Sequence, residues 1–272
     1  MDNISKILNT TDRLACITID VEMDYGSRTG EFNILNDDSQ LRSLKQTIAQ
    51  HNVPITAFIT TDLIEKFPRT LSLIRDIACD FHSHSHTHKN VNNPYETSRS
   101  ADVFEKYFNR RPLGYRFPQG VFNYKDIELI KSAGYRFSSS LFPSIRPGKF
   151  YNIRKPAIPF LYKNGILELP FAVINTLRTV FSLSYAKIYG LGLTRVLINR
   201  FGLPNIVVFD SHLHDYIYNE KSFNKLTLPY KLAWGINKRQ GVSCFEAIIN
   251  MLKQEGYVFT TMTNLFDRFE KS

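Results

Sequence analysis

Histidine is the residue type whose distribution in this chain most clearly indicates chemistry. The sequence has seven histidines, and six of them fall in two clusters: His82, His84, His86 and His88, then His212 and His214. Core packing would scatter such residues, whereas closely spaced histidines can converge on a metal ion. Imidazole nitrogen suits zinc, and also iron, nickel or cobalt. Because no cysteine lies within either histidine cluster, the pattern predicts a catalytic metal site with a position open to water.

Three acidic residues, Asp20, Glu22 and Asp24, follow the first apolar segment of the chain. Asp20 and Glu22 are two positions apart, so their side chains share a face in an extended strand. The carboxyl ends of apolar strands are where α/β enzymes build active sites. One carboxylate can therefore complete the metal shell while the other takes a proton from water.

Short apolar strands alternate with amphipathic helices over most of the chain. Apolar runs predict strands over residues 14–19, 55–59, 114–117, 167–173, 206–212 and 257–261. Helical spacing predicts helices over residues 41–48, 67–78, 95–108, 125–133 and 245–252. This alternation is typical of an α/β fold with a parallel sheet closed or curled around a centre. Without a repeat or a clear linker, we expect residues 1–272 to form a single domain.

The composition bears on where the protein works. No apolar run reaches the length of about 18 residues that a spanning helix needs, and the first residues lack the layout of a secretory signal. The three cysteines, Cys16, Cys79 and Cys244, are far apart and odd in number. This favours free thiols in a reducing compartment over a disulfide framework. We therefore expect a cytoplasmic protein.

The net charge of +9 is unevenly distributed. Between Leu129 and Phe209 the chain has eleven lysines and arginines and a single acid, Glu168. Such a segment is either an ordinary solvated face or a surface for an anionic partner, such as a phosphate-linked substrate or an anionic membrane. We expect no nucleic acid partner, because no recognised binding motif accompanies the charge.

Seven segments resemble one known family in their order and spacing. They are residues 18–22 (TIDVE), 53–59 (VPITAFI), 83–88 (SHSHTH), 115–120 (YRFPQG), 134–143 (GYRFSSSLFP), 165–170 (GILELP) and 207–212 (VVFDSH). On these segments the chain resembles the polysaccharide deacetylase family, which is carbohydrate esterase family 4 with its NodB-like homology domain. The resemblance implies a distorted, incomplete (β/α) barrel as the single catalytic domain.

The resemblance also implies roles for particular residues. Glu22, His84 and His88 would hold a divalent transition metal, with zinc as the first expectation and cobalt, nickel or iron as alternatives. The catalytic groups would be Asp20 as general base, Arg116 as the partner that orients it, and His212 as the acid that protonates the departing amine.

An oxyanion site would lie at the turn that contains Pro118 and Gln119, where the backbone N–H of Gln119 binds the developing charge.

Some assignments stay open at the level of sequence. His82 and His86 have the same spacing as His84 and His88, although Lys89-Asn90-Val91 after the latter pair match the family better. Since Asp-Val-Glu replaces the commoner Asp-Asp, either carboxylate can be the ligand.

Three further positions stay open. His214 is the alternative to His212 as acid. Asp24 is a further candidate site residue. Ser138 stands where the family often has aspartate.

The resemblance implies hydrolysis of an N-acetyl or N-formyl group on an amino sugar in a polysaccharide, an oligosaccharide or a lipid-linked precursor. A phosphate- or lipid-linked substrate would agree with the basic segment, as would peripheral contact with an anionic membrane at its inner face. Two alternatives remain: a metal-dependent hydrolase of a non-sugar amide, and a non-catalytic carbohydrate-binding protein with the same fold.

Overall fold

Strands and helices alternate along the chain in the computed structural model, which describes residues 3–34, 38–89 and 92–270. The strands are β1 (Ile4–Ile7), β2 (Leu14–Val21), β3 (Ile55–Ile59), β4 (Asp80–Ser83), β5 (Gly114–Tyr115), β6 (Phe137–Ser138), β7 (Ile145–Arg146), β8 (Phe150–Tyr151), β9 (Phe160–Tyr162), β10 (Leu167–Glu168), β11 (Val173–Ile174), β12 (Thr179–Val180), β13 (Ile206–His212) and β14 (Val258–Phe259). The helices are α1 (Asp24–Ser27), α2 (Asp38–His51), α3 (Thr61–Lys66), α4 (Arg69–Arg75), α5 (Pro94–Phe108), α6 (Tyr124–Ser132), α7 (Leu183–Tyr189), α8 (Leu191–Phe201), α9 (Leu213–Tyr216), α10 (Glu220–Asn224), α11 (Leu228–Gly235), α12 (Gly241–Gln254) and α13 (Met262–Glu270).

A sheet of ten strands forms the centre of the fold. Its order is β1-β9-β10-β6-β5-β4-β3-β2-β13, and β14 pairs with the start of β2. The pairs that involve β9 are antiparallel, and the remaining pairs of this sheet are parallel. Within the described residues β1 and β13 are not paired, so the sheet curls without closing. The predicted α/β class with a distorted, incomplete barrel is therefore confirmed.

The segment 169–172 crosses the open side of the sheet. Backbone hydrogen bonds of 2.9 Å tie it to Ser138 on one side and to Val208 on the other. The sequence predicts a single strand over residues 167–173, whereas the structure has two short strands, β10 and β11, with Pro170 between them. Since proline has no N–H to donate to a ladder, the strand breaks there and the sequence prediction is wrong on this point.

The C-terminal helix α13 lies at the end of the barrel interior where the strands begin. Its apolar side chains join the inward-facing residues of the strands in one buried cluster, which includes Cys16, Phe58, Phe137, Val208, Met262, Leu265 and Phe266. Asp80, the first residue of β4, accepts hydrogen bonds from the backbone N–H (3.0 Å) and the hydroxyl (2.7 Å) of Thr263. This helix, which the sequence analysis does not predict, leaves the opposite end of the barrel for a site.

The outer face of the sheet is covered by helices. Buried residues of β2 and β3 share one apolar cluster with α12, including Ile17, Ile19, Ala57, Phe245, Ile248 and Ile249. Because β2 is buried on both faces, it has a nearly continuous apolar sequence, as central parallel strands do. In the described part of the chain, no helix is long and apolar enough to span a membrane.

Candidate metal centre and active site

The carboxyl ends of neighbouring strands bring the predicted site residues together. In the parallel register of β2 and β13, Asp20 lies opposite His212. His84 directly follows β4 and Arg116 directly follows β5, and the backbone N–H of Arg116 donates to the carbonyl of Ser83 at 2.9 Å. Because these strands run in the same direction, residues far apart in sequence meet at one edge of the sheet.

Glu22, His84 and His88 form a buried cluster of three ligand side chains. One ligand atom from each lies within 4.8 Å of the others. Nε2 of His84 is 3.8 Å from Oε2 of Glu22, and Nε2 of His88 is in direct contact with the same oxygen. Two imidazoles and one carboxylate are a common set of protein ligands for catalytic zinc.

Hydrogen bonding leaves the atoms of this cluster available to a cation. Nδ1 of His88 is buried and has no hydrogen-bond partner, and the buried Oε2 of Glu22 has none besides its contact with Nε2 of His88. Nδ1 of His84 lies 3.0 Å from the carbonyl of Arg116; the ring donates there, so its Nε2 presents a lone pair to the cluster. Burial lowers the pKa of His84 to about 4, which keeps the ring in the neutral form that binds metal. The residues present therefore fit a divalent transition metal.

The loop between β4 and α5 sets the positions of the two histidine ligands. Ser85 and His88 adopt positive φ angles of 64° and 57°, and the hydroxyl of Ser85 accepts a hydrogen bond from the backbone N–H of His88 at 3.1 Å. The buried carboxylate of Glu96 accepts from the backbone N–H groups of His86 (3.2 Å) and Thr87 (2.9 Å). It also accepts from the Thr87 hydroxyl at 2.7 Å. These bonds hold an otherwise strained loop in one conformation.

Arg116 is 1 % exposed and fixes one oxygen of Asp20. Its Nη1 donates to Oδ1 of Asp20 at 2.5 Å, and its Nε donates to the carbonyl of Ser139 at 2.9 Å. The guanidinium lies between the rings of Phe58 and Phe171, 3.8 and 4.5 Å from their centroids. A charge-assisted hydrogen bond in such a dry setting orients the carboxylate and leaves its second oxygen, Oδ2, for chemistry.

His212 faces that second oxygen. Its Nε2 is 3.9 Å from Oδ2 of Asp20 and 3.8 Å from Oε1 of Glu22, while its Nδ1 is 3.4 Å from Oδ2 of Asp215. Burial alone would lower the pKa of His212, but the carboxylates of Asp210 and Asp215 raise it well above its usual value. A protonated imidazole in this position can donate a proton.

Comparison with known proteins agrees with this geometry. Residues 10–138 match the family model described as polysaccharide deacetylase. The predicted resemblance to this family is confirmed over these residues. The match includes every proposed metal ligand, and it ends before His212. No curated protein sequence matches the chain significantly.

Solved structures of polysaccharide deacetylases share the fold. A protein named as a polysaccharide deacetylase from Mycobacterium smegmatis superposes with a TM-score of 0.60 at 15% identity, over 98% of this chain and 95% of that one. PdaA from Bacillus subtilis, a family 4 carbohydrate esterase, gives 0.54 at 15% identity over 99% and 86%. A family 4 pseudoenzyme from Bacillus anthracis gives 0.55 at 13% identity over 95% and 66%. At these identities the similarity concerns the fold.

The structure distinguishes the two overlapping histidine pairs, because only His84 and His88 lie beside Glu22. His82 points into the barrel interior, where its Nε2 lies 3.2 Å from Asp80 and its Nδ1 accepts the backbone N–H of Gly114 at 3.2 Å. His86 pairs instead with the hydroxyl of Thr61 at 3.0 Å. Neither is part of the cluster with Glu22. Asn90 and Val91, which also favour the pair His84 and His88, lie outside the described residues.

The two remaining candidates, His214 and Asp24, lie in different parts of the structure. His214 is buried in α9 and lines the cavity of the site together with His212; the two rings are stacked with their centroids 4.9 Å apart. Burial lowers the pKa of His214 to about 3. Asp24 is buried away from the metal cluster. Its Oδ2 accepts from the backbone N–H of Asn33 at 2.8 Å and from the hydroxyl of Ser222 at 2.5 Å. Asp24 therefore ties a loop to α10, which is a structural contact.

Pro118 and Gln119 form a tight turn at the edge of the cavity. Gln119 has a φ of 58° and its buried Oε1 has no hydrogen-bond partner. At Gly120 a Cβ atom would come within 2.6 Å of the Phe142 ring and 2.9 Å of a backbone oxygen, so only glycine fits. The hydroxyl of Ser140 accepts from the backbone N–H that precedes this turn, and Ser138 donates to Ser140 at 3.0 Å. Ser138 thus stabilises the turn indirectly, through its hydrogen bond to Ser140.

Two functional carboxylates were not singled out by sequence reasoning. Oδ1 of Asp210 lies 3.4 Å from Nη1 of Arg116, and burial raises the pKa of Asp210 to about 7. Asp215 contacts His212 twice, since its Oδ2 also accepts the backbone N–H of His212 at 3.0 Å. Asp210 lies two residues before His212 on a strand, so their side chains share a face; this spacing could have indicated that Asp210 belongs to the site. Asp215 follows His212 by three residues, a spacing typical of a helix start, and this could have indicated that the two side chains interact.

The central groups of the site face one cavity of about 280 Å³: Asp20, Glu22, His84, His88, Arg116, Gln119, Asp210, His212 and His214. Its floor is formed by the metal cluster, Asp20 and His212, and its walls are largely aromatic and aliphatic. The wall residues include Phe142, Ile145, Phe150, Phe171, Tyr185, Ile188, Tyr230 and Trp234, with Arg28 and Arg146 among them. A concave, mostly apolar pocket with a few convergent polar groups is typical of a small-molecule site.

Proposed function

We propose that this chain is a metal-dependent hydrolase that removes an N-acetyl or N-formyl group from an amino sugar. The fold and the family support a carbohydrate deacetylase in general terms. One observation supports the finer proposal. Asp20, a carboxylate fixed by Arg116, lies close to the imidazole of His212, and both lie beside the buried cluster of two histidines and one carboxylate.

In this proposal each side chain of the site has a role. A zinc ion held by Glu22, His84 and His88 would polarise the amide carbonyl and make a water molecule nucleophilic at neutral pH. Oδ2 of Asp20 is placed to take the proton of the attacking water, since Arg116 occupies its other oxygen. That pairing also supports Glu22, and not Asp20, as the carboxylate ligand.

The acid step belongs to His212. Its raised pKa keeps the ring protonated at neutral pH, and Asp215 fixes the ring through Nδ1, so Nε2 can deliver a proton to the departing amine nitrogen. His214, whose lowered pKa keeps it neutral, is the weaker candidate. In this proposal the backbone N–H of Gln119 binds the oxyanion at the turn after Pro118.

The substrate and its location form a further part of the proposal. Aromatic walls suit the apolar face of a sugar ring, and the arginines Arg28 and Arg146 suit a phosphate linkage in a polysaccharide, an oligosaccharide or a lipid-linked precursor. All three cysteines are free, and Cys79 is exposed. Free exposed thiols persist in reducing compartments, which supports the cytoplasmic face as the place of action.

Mass spectrometry of released acetate and formate tests the proposal. Metal-loaded protein is incubated with soluble, nucleotide-linked and lipid-linked N-acyl amino sugars, and with non-sugar amides of matched acyl group. We expect release from at least one amino sugar, loss of release on chelation, and release slowed by about 10²–10⁴-fold in Asp20→Asn. Release from non-sugar amides alone would favour the broader amide hydrolase. Sugar binding without any release would identify a non-catalytic carbohydrate-binding protein.

A further inference from the structure

Helix α11 is apolar on both of its faces. One face carries Tyr230, Ala233 and Trp234, which line the cavity. The other carries Leu228 and Leu232, one turn apart, which are 68% and 65% exposed. No residue of α11 is buried. A helix with apolar residues all round is normally enclosed by protein or placed in lipid, so the outer face of α11 lacks the cover that its sequence implies.

The same cavity has exposed apolar residues on a second part of its wall. Ile145 of the β7–β8 hairpin lines the cavity and is 44% exposed, and Tyr151 of this hairpin is 69% exposed. Ile236, just after α11, is 42% exposed. We call Leu228, Leu232, Ile236, Ile145 and Tyr151 together the apolar rim. These residues belong to or follow two elements that line the cavity, α11 and the β7–β8 hairpin. Single exposed leucines scattered over a surface need no explanation, but a group beside one cavity does.

Positive charge predominates in the sequence around α11, where Lys225 is paired with Glu31. Between Lys221 and Phe245 the chain has five lysines and arginines and no aspartate or glutamate. Arg28 lies with its guanidinium 4.0 Å from the ring centroid of Tyr230 and lines the cavity, as Arg146 does on the hairpin. The surface therefore combines large apolar side chains with cations.

Two partners could cover the apolar rim, a second copy of this chain or a membrane surface, and the combination of apolar side chains with cations favours one of them. A second copy of the chain in a symmetric dimer would place the same patch against itself and bring its cations together. An anionic bilayer satisfies both features, because its acyl boundary takes leucine and isoleucine while its headgroups attract lysine and arginine.

We propose that the apolar rim docks on the surface of an anionic membrane, with the mouth of the cavity facing the headgroups. The substrate class that follows is an amphiphile: an N-acylated amino sugar joined through phosphate to a lipid, whose anionic linkage passes Arg28 and Arg146 while its apolar chain stays in the bilayer. This choice of substrate rests on the proposed deacylation, whereas the docking itself does not.

The docking is tested through Trp234, the only tryptophan of the chain and a residue of α11. Metal-loaded protein is mixed with vesicles of phosphatidylcholine, with or without phosphatidylglycerol, whose acyl chains are brominated near the headgroup. We expect flotation of the protein with the anionic vesicles and quenching of Trp234 fluorescence by the bromine. Both effects should weaken at high salt, since screening shortens the reach of surface charge.

Leu228→Ser/Leu232→Ser removes two apolar anchors that do not line the cavity. We expect vesicle affinity to fall by about tenfold or more, with an unchanged melting temperature. Val258→Ser is the matched control, because Val258 is 64% exposed and lies on β14 beside the start of β2, at the opposite end of the barrel. It should bind vesicles as the unchanged protein does.

The outcomes separate docking from catalysis. Equal flotation with neutral and anionic vesicles, or full binding by the double leucine variant, would overturn the docking. So would a dimer in light scattering that the leucine substitutions dissociate. If the chain docks but releases no acyl group from soluble or lipid-linked substrates, the proposed function fails and the docking stands. If the double variant keeps its turnover of a soluble amino sugar and loses only the lipid-linked one, both stand.

Discussion

Individual side chains at the metal cluster have roles that substitution can separate. Glu22, His84 and His88 converge in one buried cluster, whereas His82 and His86 are engaged elsewhere. The assignment therefore depends on which hydrogen bonds each histidine already makes.

We expect His84→Ala and His88→Ala each to lose most of the bound metal, because two remaining ligands hold a divalent ion poorly. Elemental analysis of protein purified without added metal should give about one equivalent for the unchanged chain. His51→Ala is the control, since His51 pairs with Glu246 at the surface. Loss of metal from His86→Ala, with retention in His84→Ala, would show that the ligand pair is wrong.

Asp20→Asn is expected to slow turnover by about 10²–10⁴-fold, the usual contribution of general acid–base catalysis. The amide keeps the shape and one hydrogen bond from Arg116, so the metal content should stay near one equivalent. Turnover and metal content are measured on the same samples. Glu22→Gln provides the contrast, as it should lose metal together with activity. If Asp20→Asn loses the metal instead, Asp20 is the ligand and Glu22 becomes the candidate base.

At the scale of single elements, two carboxylates position segments on which the site depends. Glu96 at the start of α5 holds the loop that carries His84 and His88. Asp80 at the start of β4 caps α13 and contacts His82. Each acts on the site through backbone geometry, without touching substrate.

Glu96→Ala should weaken metal binding by about 10–100-fold, the usual effect of removing a supporting contact behind a ligand. The reason is that the loop with positive φ at Ser85 and His88 loses its three acceptor contacts. Competition with a chromogenic chelator measures the affinity. Glu105→Gln, on the exposed face of α5 beside Arg111, is the control and should bind metal normally. Unchanged affinity in Glu96→Ala would mean that the loop holds its shape alone.

Asp80 makes the fold sensitive to acid. Burial alone would raise its pKa, but His82 and the hydrogen bonds from Thr263 lower it below its usual value of 3.8. A depressed folded-state pKa contributes stability above the unfolded value, and this stability is lost as the pH falls below about 3.8. Asp80→Asn should therefore destabilise the protein by about 1–3 kcal/mol at pH 7 and flatten the decline in acid.

Urea unfolding at several pH values measures both effects of the Asp80 substitution. The exposed Asp76, which pairs with Lys45, offers Asp76→Asn as the control. An equal response of the two variants would remove Asp80 from the account of acid stability.

At the scale of the whole molecule, the proposed metal ligands come from separate parts of the barrel. Glu22 follows β2, and the two histidines come from the loop after β4, so a bound ion would link the ends of these strands. One apolar cluster extends over β2, β3, β13 and α12, and the single domain over residues 1–272 stays a prediction.

We expect one cooperative thermal transition in calorimetry, at a lower temperature after chelation. A ligand present at a hundred times its Kd stabilises the folded state by about 2.7 kcal/mol. Re-addition of zinc to chelated protein should restore the transition temperature, whereas calcium, which prefers oxygen ligands, should not. Two separate transitions would contradict the single domain, and no effect of chelation would contradict a structural link through the metal.

Much of the fold and the centre of the site could be derived from the sequence, because local rules decide them. The apolar runs of β3 and β13 predict these strands with the observed bounds, since period and composition are local properties. The order of acids and histidines, with the family resemblance, was enough to name Asp20, Glu22, His84, His88, Arg116 and His212 as one site.

The tertiary structure decided which of several equivalent candidates meet. His82 and His84 differ by two positions, yet one pairs with Asp80 deep in the barrel and the other faces Glu22. Asp24 looked like part of the acidic group, but the chain turns after β2 and buries it against α10. Asp210 and Asp215 gain their importance only from Arg116 and His212. The physical reason is that burial, charge pairing and hydrogen-bond satisfaction depend on neighbours from distant strands, which no local pattern specifies.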